Sequence, residues 1–529
     1  MKSQAFRVNF RIKNPDRFSK IVAILFMFTL LLRNLWISDD AFITLRVVDN
    51  FVHGFGLVWN VGERVQVYIH PLWLFLVTMV YSIKEDPYVV LYFVSMLTSL
   101  TAITLLVTQL ARNYRTTILL TLVLCTSMSF IDYSSSGLEN PLTHLLLVLL
   151  LLVIFRRNDP PLRRLFFVSL LASLAALNRM DSILFYLPLL AYQLWLNKEN
   201  FWRTLGVVLA GFTPLLLWEL FATLYYGFPL PNTYYTKVET GLQPYYLYEA
   251  GLAYFRNSFH WDPITLVTIT LSLVSLFIRR EMSKLMLGGG IVLYMLYILY
   301  IGGDFMSGRF FSAAFLLAVG LLLTFDYKAI FGPIMQKAYR LILIVVLLFG
   351  LSANNPPLLI KPDDKPVGSW DEYGIADEKL SYFQVTGWYN HLATTFQHDL
   401  AIQGERAREA GVSPVTQNVI GMFGYYAGPD IYVIDSVALA DPLRSRLPAI
   451  GPSRIGHYNR PMPLGYEDTI RDNFNNHIEN LDLRQYYDHL MVLCRDDLFA
   501  PGRLRTIIEF NLGRYNYLLY KYLEAPEPK

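Results

Sequence analysis

Residues 21–42 read IVAILFMFTLLLRNLWISDDAF. The apolar run over 21–37 is about the length that crosses a bilayer, and it is followed at once by two carboxylates, Asp39 and Asp40. No small-residue cleavage site follows Ile37, so the run is predicted to be a retained helix rather than a signal peptide. Carboxylates at a membrane boundary are costly to keep and usually have a function. The stretch predicts a membrane helix with a reactive site at its mouth.

The composition is that of a membrane protein. Hydrophobic residues make up 54% of the 529 residues and charged residues only 16%, with a mean hydropathy of +0.35. These values exclude an ordinary soluble domain, and no nucleic-acid partner is expected. Cys125 and Cys494 are predicted to be separate buried thiols, and no Cys/His cluster suggests a metal site.

The distribution of basic residues predicts the topology. Eleven apolar segments are predicted to span the membrane, at 21–37, 88–110, 117–131, 141–155, 165–178, 182–196, 204–222, 264–278, 285–301, 311–325 and 340–353. Alternate connections carry the basic residues, namely Arg112, Arg115, Arg156, Arg157, Arg163, Arg164, Lys198, Arg203, Arg279, Arg280, Lys284, Lys328, Lys337 and Arg340. The positive-inside rule places them and the N-terminus in the cytoplasm. The apolar run at 70–83 is too short for a span, so 41–83 is predicted to form helices that lie along or dip into the outer surface.

This topology predicts two domains in a bacterial inner (plasma) membrane protein. Residues 1–353 form an α-helical polytopic domain, and residues 354–529 form an extracytoplasmic domain. Pro and Asp residues at 354–357 and 361–364 mark the boundary, and the more polar tail is long enough for its own core. Its β-like run at 430–435 alternates with helical stretches near 376–411 and 466–480, which indicates an α/β fold.

The polar motifs fall on one face of this arrangement. Besides Asp39 and Asp40, the predicted outer side receives the motifs Ser136–Asn140, Asn178–Asp181, Pro231–Lys237 and Gly302–Arg309. A transporter more often places such residues at the midplane and shows repeated halves, so this one-sided distribution favours an enzyme.

The residue types at these motifs fit a transfer reaction on a lipid-borne substrate. Asp39 or Asp40 can act as a general base, and Arg179, Lys237 and Arg309 can bind a phosphate. Tyr234 and Tyr235 can stack on a sugar ring or a prenyl tail, and Asp304 and Glu139 are further candidates for the donor-binding site. A carboxylate, a phosphate clamp and access from the lipid together favour glycosyl transfer from a polyprenyl-phosphate sugar.

Several longer motifs resemble a known family. They read SDDAFITLRVVDNFVHGFG at 38–56, NVGER at 60–64, HPLW at 70–73, GLE at 137–139, NTYYTK at 232–237, GGDFMSGR at 302–309, DP at 441–442 and RIGH at 454–457. The chain thereby resembles the actinobacterial terminal β-(1→2)-arabinofuranosyltransferases of the GT-C superfamily. The resemblance implies an inverting enzyme that uses a decaprenyl-phosphate pentofuranose and an acidic base in the first outer loop. The implied partners are a polyprenyl-phosphate sugar donor, a cell-envelope glycan acceptor and membrane lipid.

The same residues also have structural interpretations. Asp39 and Asp40 can cap the following helix, Arg309 can be an interfacial anchor, Asp304 can simply pair with Arg309, and Glu139 can interact with a helix dipole. Lys237, Tyr234 and Tyr235 can belong to an interfacial aromatic belt. Arg179 and Asp181 are not expected to face each other on a helix, so Arg179 can equally pair with another span.

Four further points are open at the level of sequence. Asp39 is slightly preferred over Asp40 as the base, and Arg454, His457 and Asp435 are assigned to the folded core rather than to acceptor binding. A divalent cation at the paired carboxylates is possible, but the sequence does not supply a full oxygen ligand set. The alternatives to a pentose transferase are the same reaction with a polyprenyl-phosphate hexose and a non-catalytic lipid-sugar transporter.

Overall fold

The described part of the protein is mostly helical. The computed structural model describes residues 14–278, 280–353, 355–359, 370–393, 397–451 and 453–524. The α-helices are α1 Pro15–Asn34, α2 Asp39–Val52, α3 Pro71–Tyr81, α4 Pro87–Leu105, α5 Tyr114–Thr126, α6 Met128–Tyr133, α7 Asn140–Phe155, α8 Pro161–Asn178, α9 Leu187–Leu196, α10 Phe201–Tyr226, α11 Asn232–Lys237, α12 Pro244–Trp261, α13 Pro263–Ser275, α14 Met282–Tyr300, α15 Phe311–Leu323, α16 Tyr327–Leu351, α17 Glu378–Thr386, α18 Trp388–Ala393, α19 Asp399–Ala410, α20 Gly421–Ala427, α21 Tyr466–Arg471, α22 Leu481–Cys494, α23 Arg503–Asn511 and α24 Asn516–Glu524.

The helical membrane fold is confirmed, whereas the number of spans is not. In the described part of the chain, four helices are long and apolar enough to cross a bilayer: Pro87–Leu110, Pro161–Asn178, Lys198–Tyr226 and Met282–Tyr300. A fifth is obtained if α1 and α2 count as one bent span. The other predicted segments coincide with apolar helices of 10–17 residues. Eleven spans therefore stay a prediction, and α3, at 11 residues, is short for a span as expected.

The chain turns sharply between α1 and α2, which meet at 88°. The connecting residues 35–38 are held by the segment around α17 and α18. The Thr386 hydroxyl accepts from the Ile37 amide at 3.1 Å and donates to the Ile37 carbonyl at 2.9 Å, and the Trp388 amide donates to the Leu35 carbonyl at 3.0 Å. The position of Asp39 and Asp40 thus depends on residues more than 300 positions later in the chain.

Buried charges fasten the part of the chain after residue 353, hereafter the C-terminal part, to the first helices. Lys379 Nζ donates to the side-chain oxygens of Asn34 and Asp132, both at 2.6 Å. The Arg46 guanidinium donates to the carbonyl of Gly424 at 2.6 Å and to that of Ile431 at 2.8 Å. Because a buried cation without such partners is strongly destabilising, these contacts fix how the two parts meet.

The C-terminal part combines helices with one small sheet. Strands β1 Val415–Gln417 and β2 Val433–Asp435 are parallel, with Val415 opposite Val433. One hydrophobic core runs from α1 through residues such as Phe423 and Ile431, and a second core joins Ile434 to α22–α24. A separate α/β domain starting at residue 354 stays a prediction, and the boundary motif at 361–364 lies outside the described residues.

We predict that the two sides of the membrane can be distinguished by cysteine labelling. Asn158 and Glu372 are both exposed, and the charge pattern places them on opposite sides. In sealed cells, a membrane-impermeant maleimide should label Glu372→Cys but label Asn158→Cys only after permeabilisation. The unsubstituted protein is the control, since Cys125 and Cys494 are buried. Labelling of both variants from outside would contradict the predicted topology.

Candidate active site

A buried carboxylate, Glu139, lies at the centre of the polar motifs. It directly precedes α7, and its side chain has no exposure. Glu139 Oε1 accepts from Arg179 Nη1 at 3.0 Å and from Arg309 Nη2 at 3.1 Å, and His70 Nδ1 lies 3.5 Å from Oε2. We call these four residues the Glu139 cluster. Burial alone would raise the pKa of Glu139, but Arg309, His70 and Arg179 lower it well below its ordinary value, so the carboxylate is charged.

Arg179 is held by two acids. Its Nε donates to Asp181 Oδ1 at 2.8 Å and its Nη2 to Asp181 Oδ2 at 2.9 Å, in addition to the contact with Glu139. The expectation that Arg179 and Asp181 do not face each other is wrong. α8 ends at Asn178, and Arg179 is extended with φ −164° and ψ 115°, so helical spacing does not apply. With its donors engaged in this way, Arg179 is placed to support Glu139 rather than to bind a phosphate alone.

The loop Gly302–Arg309 presents Asp304 and Arg309 to the cluster. Its tight path requires Gly303, which has φ +80° and has no room for a Cβ against Tyr254. The Tyr254 hydroxyl donates to the Met306 carbonyl at 3.0 Å and fastens the loop. Burial raises the pKa of Asp304, opposed by Arg309, and its Oδ2 lies 3.7 Å from Arg309 Nη1.

Arg309 keeps hydrogen-bonding capacity for a ligand. Its Nη2 is bound to Glu139, whereas its Nε has no hydrogen-bond partner among the described residues. Its Nη1 donates to Met306 Sδ, a weak acceptor, at 3.5 Å, and lies 3.8 Å from Asp40 and 3.7 Å from Asp304, beyond direct hydrogen-bonding distance. A buried guanidinium with free donors beside carboxylates is suited to receiving an anionic group.

The two adjacent aspartates have different surroundings. Asp39 is buried, and its two oxygens accept from the backbone amides of Gly421 at 2.9 Å and Met422 at 2.8 Å, so it holds the start of α20. A side chain at Gly421 would overlap Asp39. Asp40 has 27% of its side chain exposed and faces Arg309. Neither the Ser38 side chain nor the two carboxylates cap α2, so the capping interpretation is not what the structure shows.

The α11 residues are divided between two environments. Lys237 Nζ lies 5.9 Å from the ring centre of Phe305, and its charge lowers the pKa of Asp304. Tyr235 packs against Arg446 at 4.4 Å, and Tyr234 packs against Tyr235 at 5.5 Å. Among the described residues, neither tyrosine contacts the Glu139 cluster, so their stacking on a substrate stays a prediction.

Sequence reasoning did not place some residues that border the site. His70 shares a hydrogen bond of 2.7 Å between its Nε2 and Thr44 Oγ1, and its Nδ1 lies 3.5 Å from Glu139 Oε2. In the C-terminal part, Arg454 pairs with Glu378, and burial raises the pKa of Glu378 to about 7 against the effect of Arg454. The sequence signal for Arg454 was the RIGH motif at 454–457, which resembles the family but does not indicate which residues it contacts.

A metal site does not emerge from the carboxylates that the structure describes. In that part of the chain, no group of three or more His, Cys, Asp or Glu side chains is arranged to hold an ion. Arg309 instead supplies the positive charge between Asp40 and Asp304.

Comparisons with known proteins identify the type of enzyme. A family model described as dolichyl-phosphate-mannose-protein mannosyltransferase matches residues 70–218. The chain is similar to the terminal β-(1→2)-arabinofuranosyltransferase of Mycobacterium tuberculosis, at 27% identity over 81% of each chain. It is also similar to the enzyme of the same name from Corynebacterium glutamicum, at 24% identity over 80% of this chain and 72% of that one.

The chain is also similar to a solved structure, the crystal structure of ArnT from Cupriavidus metallidurans bound to undecaprenyl phosphate. It has 12% sequence identity, a TM-score of 0.46, and coverage of 82% of this chain and 89% of that one, a similarity too low to support a functional conclusion. The sequence motifs and the two curated relatives do support one. The chain is a membrane glycosyltransferase that is similar to the terminal β-(1→2)-arabinofuranosyltransferases of these two organisms.

Proposed function

We propose that this protein transfers a pentofuranose, arabinofuranose, from a polyprenyl phosphate to a hydroxyl of a cell-envelope glycan on the extracytoplasmic side of the membrane. The observation that carries the proposal is the pairing of Asp40 with Arg309, 3.8 Å apart, beside the buried Glu139. This pairing places a partly exposed carboxylate next to a cation that can bind a phosphate. The names of the relatives support the sugar and the linkage.

In the proposed reaction, Asp40 accepts the proton of the acceptor hydroxyl. The resulting oxygen attacks the anomeric carbon from the side opposite the phosphate, a C–O bond forms, and the bond to the phosphate oxygen breaks with inversion. The leaving polyprenyl phosphate gains negative charge, which Arg309 stabilises through its free donors, with Lys237 as a second cation nearby. Glu139, which is itself bound by Arg179, holds Arg309 in position.

An apolar groove supports a prenyl tail on the donor. A cavity of about 530 Å³ opens between α3 and α10 and is lined by Pro71, Leu72, Leu177, Leu217, Trp218 and Phe221, among others. Pro71 directly follows His70, and Leu177 lies two residues before Arg179, so the groove wall includes sequence neighbours of two residues of the Glu139 cluster. A lipid tail in this groove would place its phosphate close to Arg309.

A hexose donor is the second candidate, because the matching family model is described by mannosyl transfer. Purified protein in detergent can be given labelled decaprenyl-phosphate arabinofuranose or a polyprenyl-phosphate hexose, with a synthetic furanoside bearing a free 2-hydroxyl. Arabinosylated product with release of polyprenyl phosphate supports the proposal. Product from the hexose donor alone would mean that the transferred sugar is a hexose rather than arabinofuranose. If neither donor released polyprenyl phosphate, the proposal that the protein is a transferase would be contradicted.

We predict that Asp40→Asn and Asp39→Asn lose activity for different reasons. Asn at position 40 cannot accept a proton, so turnover should fall about 100- to 10,000-fold with an unchanged unfolding temperature. Asn at position 39 offers one acceptor oxygen for two amide donors, so the unfolding temperature should also fall. Turnover and thermal unfolding of both variants check this. Near-normal turnover of Asp40→Asn would remove Asp40 as the base.

We predict that Arg309 cannot be replaced by lysine. Lysine keeps the charge but not the planar donor set that serves Glu139 and a phosphate together. Arg309→Lys should weaken binding of a prenyl-phosphonate analogue, and Arg309→Ala should weaken it about 10- to 100-fold, the equivalent of a charge-assisted contact of roughly 1.5–3 kcal/mol.

The matched control is Arg163→Lys, because Arg163 is 62% exposed and lies away from the site, in a predicted cytoplasmic connection. Analogue affinity and thermal unfolding are measured for all three variants and the parent. Equal affinity of the parent and Arg309→Lys would show that Arg309 acts as a simple interfacial charge.

A further inference from the structure

The C-terminal part contacts the same loop that carries Asp304 and Arg309. The Ala376 amide donates to the Phe305 carbonyl at 2.9 Å, and the Ser307 amide donates to the Ala376 carbonyl at 2.9 Å, forming a short parallel bridge. The loop therefore has the Glu139 cluster at one end and a segment of the C-terminal part along its side.

The Phe305 ring is enclosed by side chains of opposite parts of the chain. The Arg454 guanidinium lies 4.5 Å and Lys237 Nζ 5.9 Å from the ring centre. The His457 ring meets the Phe305 ring edge to face, with 4.3 Å between the ring centres. Phe305 directly follows Asp304, so His457 lies next to the polar site rather than in a separate core.

The imidazole of His457 has one nitrogen engaged and one free. Its Nδ1 lies 3.4 Å from the Ile455 carbonyl, which can only accept, so Nδ1 carries the proton in the neutral ring. Nε2 then has a lone pair, and it has no hydrogen-bond partner among the described residues. Burial, with Lys237 and Arg454, lowers the pKa of His457 to about 4 against the opposing effect of Asp40, so the ring is neutral at pH 7.

The geometry links His457 to the proposed base: its ring contacts Phe305, the residue after Asp304, and Asp304 and Asp40 lie 3.7 and 3.8 Å from the same Arg309 Nη1. The side chain is half-buried, so Nε2 is not sealed inside a packed core. The apolar groove proposed for the prenyl tail is lined by other residues, such as Pro71 and Leu177. A neutral acceptor atom near the base, away from the lipid groove, is placed to meet the second substrate.

We propose that His457 is an acceptor-binding residue: its Nε2 accepts a hydrogen bond from a hydroxyl of the acceptor glycan and holds the sugar whose neighbouring hydroxyl Asp40 deprotonates. The inference rests on the proposed function and deepens it, because it assigns the acceptor side of the site to the C-terminal part. It also reassigns His457 of the RIGH motif from the folded core to a contact with substrate.

Two substitutions separate this role from packing on Phe305. His457→Gln can place an amide oxygen near the position of Nε2 but loses the ring, whereas His457→Phe keeps the ring contact and loses both nitrogens. With the full-length protein, the donor of the transferase assay and a furanoside bearing a free 2-hydroxyl, His457→Phe should raise the acceptor KM roughly 2- to 10-fold, the effect of one lost neutral hydrogen bond. His457→Gln should stay closer to the parent, and affinity for a prenyl-phosphonate should be unchanged in both.

The outcomes distinguish the two proposals. A parent protein that gives no transfer contradicts the proposed function itself. Transfer by the parent with an unchanged acceptor KM in His457→Phe overturns the role of His457 alone. A normal acceptor KM in His457→Phe together with a raised acceptor KM in His457→Gln would show that the ring serves only to pack against Phe305. A loss of affinity for the prenyl-phosphonate in His457→Phe would place the residue on the donor side.

Discussion

The site depends on compensating one buried negative charge. Glu139 is fully enclosed, and removing a carboxylate from water is unfavourable unless cations and hydrogen bonds replace the lost solvation. Arg179 and Arg309 supply that compensation from two distant segments, so the start of α7, the end of α8 and the loop before α15 must converge. That convergence leaves Arg309 with free donors beside Asp40.

The second constraint is the docking of the C-terminal part on the α1–α2 turn. Asp39 binds the backbone at the start of α20, and Lys379 binds Asn34 and Asp132. Asp39 has an acceptor site on each oxygen occupied by a backbone amide, and our proposal therefore treats Asp39 as a positioning residue and Asp40 as the base. The adjacent acids thus divide the two roles that the sequence could not separate, and the preference for Asp39 is reversed in our proposal.

The sequence predicted the features that depend only on neighbouring residues, namely the helices and the polar residues at their ends. The apolar runs predicted the helices, and the Asp pair, Glu139 and the Gly302–Arg309 motif were each singled out from residue type and position at a helix end. Contacts that depend on distant segments could not be predicted. The pairing of Arg179 with Asp181 needs a backbone that leaves the helix at residue 179, and the contact between His457 and Phe305 joins positions 152 residues apart.

The most direct test of the account is a structure of the protein in a lipid nanodisc with a non-hydrolysable prenyl-phosphonate sugar bound. The account predicts the phosphonate within hydrogen-bonding distance of the Arg309 guanidinium, the prenyl chain between α3 and α10, and Asp40 open toward the anomeric carbon on the side opposite the phosphonate. A phosphonate bound at the basic residues near Arg157, or a sugar that lies against Tyr234 with Arg309 still directed only at Glu139, would contradict it.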